Sequence, residues 1–123
     1  MIKPTIIGKH AIADLSGCDI DLSILEDMEI IREYLREACK QANATIESEH
    51  LHKFYPYGIS GIMVLSESHL SIHIWAQEKF ISLDCYTCGE GTNPQNAINY
   101  LIEKFQPKSI NSQYLDRSWA SVN

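Results

Sequence analysis

Apolar positions recur along the chain with two different periods, and the places where the period changes divide it into elements. Residues 5–15 are mostly apolar or small, with His10 and Asp14 interposed. They predict a first strand, closed by the turn residues Ser16-Gly17-Cys18-Asp19. Ile24, Met28, Ile31, Leu35, Ala38 and Ala42 then follow helical spacing. Ser23 and Glu26 read as a capping box at the start of that helix, and its charges run from acidic to basic as the helix dipole favours. Strands are predicted over residues 44–54, 59–65, 70–75 and 80–86, broken by Tyr55-Pro56-Tyr57-Gly58, by a tight connection at residues 66–69 and by a turn at 76–79. Asn93 as cap and Pro94 in the first turn open a second helix whose buried stripe is Ala97, Ile98, Leu101, Ile102 and Phe105. A weaker strand over 109–115 and a mobile tail complete the chain.

The middle strands are joined by connections too short for helical crossovers, so they are antiparallel neighbours. The order β-α-β-β-β-β-α-β, with two amphipathic helices on one face of the sheet, predicts an α+β two-layer sandwich in a single domain, residues 1–123. The opposite sheet face carries polar and aromatic residues and calls for a partner.

Composition narrows the function. A chain of 123 residues buries roughly two-thirds of its unfolded surface. Its net charge of −6, with 10 lysines and arginines scattered along it, argues against a nucleic-acid footprint. No apolar run approaches a membrane span, and Met1-Ile2-Lys3-Pro4 does not read as a signal peptide. Cys18, Cys39, Cys85 and Cys88 are therefore expected as thiols in a reducing, cytoplasmic setting, with Cys18 and Cys39 serving as small apolar residues.

Candidate chemistry gathers in residues 65–75. Leu70, Ile72 and Ile74 alternate with His69, Ser71, His73 and Trp75, placing imidazoles, a hydroxyl and an indole on one face of a strand. Ser68, at its start, reads by itself as an ordinary turn serine. Cys85-Tyr86-Thr87-Cys88 has the spacing of a redox or zinc pair. The redox reading wants the motif between a first strand and a helix, which this order of elements does not provide. The zinc reading could recruit His50, His52, His69 or His73 but lacks a second close ligand pair, so no metal is expected.

Ser66-Glu67-Ser68-His69-Leu70-Ser71-Ile72-His73-Ile74-Trp75 resembles the self-cleaving segment of the prokaryotic S-adenosylmethionine decarboxylase proenzymes. Phe54-Tyr55-Pro56-Tyr57-Gly58-Ile59-Ser60-Gly61 upstream and Asp84-Cys85-Tyr86-Thr87-Cys88-Gly89 downstream fall at that family's spacing, over residues 8–105. The resemblance implies that Ser68 attacks the carbonyl of Glu67, splitting the chain into a β chain, 1–67, and an α chain, 68–123, blocked by a pyruvoyl group derived from Ser68. That ketone would form a Schiff base with the α-amine of S-adenosylmethionine, and the product would supply aminopropyl groups for spermidine. The resemblance assigns processing to His73, assisted by Ser60, and gives Cys88 the role of catalytic acid. His73 comes near Ser68 only if the chain turns between them. Phe54 and Trp75 would hold the substrate, against the plainer reading of core or interface packing. The implied assembly is a homodimer stacked sheet against sheet as αββα.

The family carries Pro-Glu after the tryptophan, the glutamate holding the ribose hydroxyls. This chain has Ala76-Gln77, where the neutral amide of Gln77 can still bond a substrate hydroxyl, and strand alternation would aim Glu78 at the other face. A pyruvoyl-dependent ornithine or arginine decarboxylase is therefore the alternative, and a non-processing dimeric binding module the second.

Overall fold

A computed structural model describes residues 5–120 of the chain. Residues 1–4, where no signal peptide is expected, and 121–123, the end of the tail, lie outside the described residues. The elements in order are β1 (Thr5–Ile6), β2 (Gly8–Ser16), α1 (Leu22–Leu25), α2 (Met28–Gln41), β3 (Ile46–Lys53), β4 (Ile59–Leu65), β5 (Ser68–Trp75), β6 (Phe80–Cys88), α3 (Pro94–Phe105), β7 (Ser109–Asp116) and β8 (Trp119–Ala120). Six strands form one sheet in the order β3-β4-β5-β6-β2-β7, antiparallel throughout. The helices lie on one face of it, which makes the predicted two-layer α+β fold.

Alternation decides which face is core. Leu70, Ile72 and Ile74 of β5, Ile81, Leu83 and Cys85 of β6, and Ala11, Ala13 and Leu15 of β2 are all buried beneath Ile31, Leu35 and Ala38 of α2 and Ala97, Ile98, Leu101 and Phe105 of α3. Burying each large aliphatic side chain contributes about 1.5–3 kcal/mol, so this face supplies most of the stability. Among the described residues no helix covers the opposite face. Ile62, Val64, Phe54 and Trp75 are among the large side chains it leaves exposed.

Three local expectations are corrected. The first helix does not start on a Ser23/Glu26 capping box. Asp21 caps the single turn α1, and the Asp27 carboxylate accepts the N–H groups of Glu29 and Ile30 to cap α2 separately. Two aspartates, each able to satisfy free N–H groups, divide the helix in two. Glu26 is diverted, accepting the N–H of Gly58 at 3.2 Å. The first strand is likewise divided: at Ile7 the chain leaves β1, which pairs with β8, and enters β2. The expected mobile tail is therefore ordered as far as Ala120, with Thr5 opposite Ala120 and Ile6 opposite Trp119. A Cβ at Gly8 would stand 2.7 Å from the Arg117 carbonyl oxygen, so this crossing requires glycine.

Candidate functional site

Register places the polar residues of the open face in rows across the strands. Ser60, His73, Ser82 and Asp14 lie side by side on β4, β5, β6 and β2. Ser60 Oγ is 2.8 Å from His73 Nδ1, and Ser82 donates to Asp14 at 2.8 Å. With Nδ1 engaged, His73 directs Nε2 outward. A cavity of about 460 Å³ opens beside this row, lined by Phe54, Tyr57, Ser60, His73, Trp75, Gln77 and Glu78. Phe54 is 48% exposed and Trp75 47%, so neither is a core residue.

Gln77 and Glu78 both line this cavity because residues 76–79 form a turn. Alternation does not hold in a turn, and the expectation that Glu78 faces away is corrected. Ala76 is the residue turned inward and buried.

Ser68 lies at the other end of β5. Ser66 and Glu67 make a two-residue turn between β4 and β5, and Ser68 opens the strand opposite Thr87. Its φ is 156°, an angle sparsely populated by residues bearing a Cβ. The Ser68 hydroxyl is 3.8 Å from the Cys88 thiol, and the Cys88 N–H donates to the Glu67 carbonyl at 3.0 Å. Cys88 is held at the end of β6 by Gly89, whose φ of 105° suits glycine and whose N–H donates to the Ile7 carbonyl.

The chain does not turn between Ser68 and His73. Both belong to one uninterrupted strand, and five residues at about 3.3 Å each separate them by roughly 16 Å. One protomer therefore keeps these residues in two separate groups, Ser68 with Cys88 at one end of β5 and Ser60, His73 and the aromatic cavity at the other.

Between them stands a cluster that the sequence reading left unassigned. His10 Nε2 and His69 Nε2 each lie 2.8 Å from the same Asp84 oxygen, and Ser71 donates to the other. Burial alone would raise the Asp84 carboxyl, but the bonds from His69, Ser71 and His10 together hold it well below the usual carboxylate range. The Asp84 hydrogen bond raises His69 against the opposing effect of burial. Arg117 donates to His10 Nδ1 at 2.9 Å. An arginine only donates, so His10 carries its proton on Nε2 and gives it to Asp84. The three ligand atoms are close enough together to hold a metal ion. An ion there would displace that proton and face the Arg117 charge, so the bonding present favours an ion-pair network over a metal site. His10, His69 and Asp84 come from three strands, and only their register brings them together.

The Cys85–Cys88 pair is disposed of by alternation. Three apart on one strand, the two face opposite ways: Cys85 is buried, its thiol pushed above its ordinary range by desolvation, while Cys88 is on the open side. They form neither a redox pair nor half a zinc site.

Comparison with known proteins decides what family this arrangement belongs to. The model of the S-adenosylmethionine decarboxylase family matches residues 9–118. This chain is a member of that family. The S-adenosylmethionine decarboxylase proenzyme of Pelotomaculum thermopropionicum is 40% identical over 111 residues, covering 90% of this chain and 86% of that protein. The proenzyme of Thermodesulfovibrio yellowstonii is 44% identical over 102 residues, 83% of this chain and 74% of that one. A crystal structure of the adenosylmethionine decarboxylase of Aquifex aeolicus is 39% identical, with a TM-score of 0.81 over 90% of each chain. Membership in the S-adenosylmethionine decarboxylase family brings a reaction class, that of a carboxy-lyase, and bears out both the resemblance and the expectation of an enzyme. Among the described residues no helix is long and apolar enough to cross a membrane.

Proposed function

We propose that this decarboxylase cleaves itself between Glu67 and Ser68, and that the resulting α chain, 68–123, removes carbon dioxide from S-adenosylmethionine to make an aminopropyl donor for spermidine synthesis. The observation that carries the proposal is the Ser68 end of β5, where the hydroxyl meets the Cys88 thiol and the Glu67 carbonyl accepts the Cys88 N–H. That N–H polarises the carbonyl and would stabilise an oxygen that gains charge. In the first step Ser68 Oγ bonds to the Glu67 carbonyl carbon, the Glu67–Ser68 C–N bond breaks, and the nitrogen keeps the hydroxyl proton. A base then takes the Ser68 Cα proton and the Cβ–O bond breaks, releasing Glu67 as a carboxylate. Water replaces the nitrogen, which leaves as ammonia, and the α chain begins with a pyruvoyl group.

The site suits that group: it derives from Ser68, and a thiol stands within 3.8 Å of its origin. A pyruvoyl group supplies an electron sink that lets a bound amino acid lose carbon dioxide. Cys88 holds the proton to be returned to the substrate carbon. Phe54, Tyr57 and Trp75 offer ring faces to an adenine and to a sulfonium cation.

His73 and Ser60 fit processing only from a second copy. A two-fold axis crossing the strands near Ser71 would stack two open faces and reverse the strand direction, laying each protomer's His73 end over its partner's Ser68 end. The exposed Ile62 and Val64 would be covered in the same αββα homodimer. With Nδ1–H given to Ser60, His73 Nε2 would present the lone pair needed to take the Cα proton. The free cysteines suit a cytoplasmic setting.

Glu78 in the cavity suits a nucleoside substrate, since its carboxylate can accept ribose hydroxyls beside Gln77. The same carboxylate could meet the distal cation of ornithine or arginine. Intact mass of the purified protein, followed by carbon dioxide release from labelled S-adenosylmethionine, ornithine and arginine, tests both readings. Two fragments and release from S-adenosylmethionine are expected. Release from an amino acid alone would move the substrate, and an uncut, inactive chain would leave a binding module.

A further inference from the structure

The turn that carries the scissile bond has only two residues and stands at the sheet's end. Such a turn would ordinarily move freely. Here it is fastened on both sides. Toward β6, the Glu67 carbonyl accepts the Cys88 N–H. Toward the start of β3, the Glu67 carboxylate accepts the Thr45 N–H at 2.9 Å, and the Ser66 N–H donates to the Thr45 carbonyl at 2.9 Å. Ser66 Oγ also donates to Glu47 at 3.0 Å.

We propose that the Glu67 side chain is a positioning residue for self-cleavage, an anchor that fixes the scissile carbonyl between Cys88 and Ser68 by gripping the Thr45 backbone. The inference rests on scission at Glu67/Ser68 as read above. The carboxylate takes no proton and forms no covalent bond in either step. It holds the Glu67 carbon where Ser68 Oγ attacks and the carbonyl oxygen where the Cys88 N–H can follow it as charge develops. Attack depends on approach geometry, and small displacements slow it disproportionately. The grip has a second use: once the bond is cut, Glu67 is the last residue of the β chain, and the same hydrogen bond secures the new end.

Anchoring and base catalysis by Glu67 predict opposite rankings of the same variants. An anchor needs an acceptor at full reach, which glutamine retains and aspartate does not. A base needs the carboxylate, which aspartate retains and glutamine does not. The experiment is cell-free synthesis of the full chain with a labelled pulse, following scission on gels for wild type, E67Q, E67D and E67A. Wild type must split at Glu67/Ser68; if it does not, the underlying reading falls and not this inference alone. Given a wild type that splits, E67Q should follow it within about twofold, while E67A and E67D slow by about tenfold, the effect of losing one hydrogen bond from the transition state. Hydroxylamine, which splits esters and spares amides, supplies the second readout. It should not hasten scission of E67A, because the ester itself forms slowly. In an S68A background, where no scission occurs, adding E67A should leave the chain folded and lower its unfolding temperature by only a few degrees, separating position from stability. Scission of E67A at the wild-type rate, E67Q slower than E67D, or an E67A ester that hydroxylamine releases at once would each overturn the proposal.

Discussion

The separation of Ser68 from His73 can be tested by mixing two defective chains. S68A lacks the nucleophile and H73A the proposed base, and neither should mature alone. About 16 Å of continuous strand lies between the two residues, whereas proton transfer needs heavy atoms within about 3 Å. A side chain cannot bridge that gap, so a His73 that serves Ser68 as proposed would come from another molecule. When S68A and H73A are co-expressed at equal levels, random pairing makes about half of the dimers mixed. Each mixed dimer contains one complete site, built from Ser68 of the H73A chain and His73 of the S68A chain, and one site lacking both. About half of the H73A chains should therefore be cut, and none of the S68A chains. Intact mass distinguishes the two, because a fragment 68–123 derived from H73A carries the alanine. Failure to recover any cut H73A chain would refute the shared site, and so would cutting of H73A expressed alone at the wild-type rate.

Two further outcomes follow from the cavity and from the ion-pair cluster. If Glu78 takes ribose hydroxyls, E78A should raise KM for S-adenosylmethionine by about tenfold, the loss of a charge-assisted hydrogen bond, and Q77E should partly restore it in the E78A background. An unchanged KM in steady-state assays would remove Glu78 from the substrate site. The Asp84–His69 bond makes stability depend on pH on two sides. Asp84 is depressed on folding, so its contribution is complete above about pH 4 and is lost as pH falls through the folded value. His69 is raised, so its contribution is complete below about pH 6.5 and is lost as pH rises through the folded value. Denaturant titrations should show the pair's single contribution, about 1–3 kcal/mol, greatest between those limits, and D84N should flatten both slopes.

What could be read in the sequence was whatever depends on a local period. The alternation of Leu70, Ile72 and Ile74 against His69, Ser71, His73 and Trp75 assigned faces correctly, and Asn93-Pro94 located the start of α3. Where two local signals competed, the reading failed: Asp27 capped α2 in place of Ser23, because its carboxylate reaches two N–H groups. Glu78 was misplaced by extending strand alternation into a turn. The reach between Ser68 and His73 was left open because spacing in sequence says nothing about whether a strand runs straight. The Asp84 cluster was illegible for a different reason, since it exists only through the registers of β2, β5 and β6.

The strand order gives self-cleavage an asymmetric consequence in time. A cut between Glu67 and Ser68 leaves β2, β3 and β4 on one fragment and β5, β6 and β7 on the other, yet β2 lies between β6 and β7 while β4 pairs with β5. The pieces are interleaved, and four ladders, the short one of β1 with β8 among them, must open before they part. Loss of the covalent link thus costs the native molecule little. It transforms refolding, however: the uncut chain folds as a single body, at a rate independent of concentration, whereas the cut halves, once separated, must find each other by diffusion. Heat or denaturant that merely unfolds the proenzyme would dismantle the mature protein into fragments that reunite slowly at low concentration. Maturation as proposed would work as a ratchet, passed once from the folded state and not readily retraced from the unfolded one.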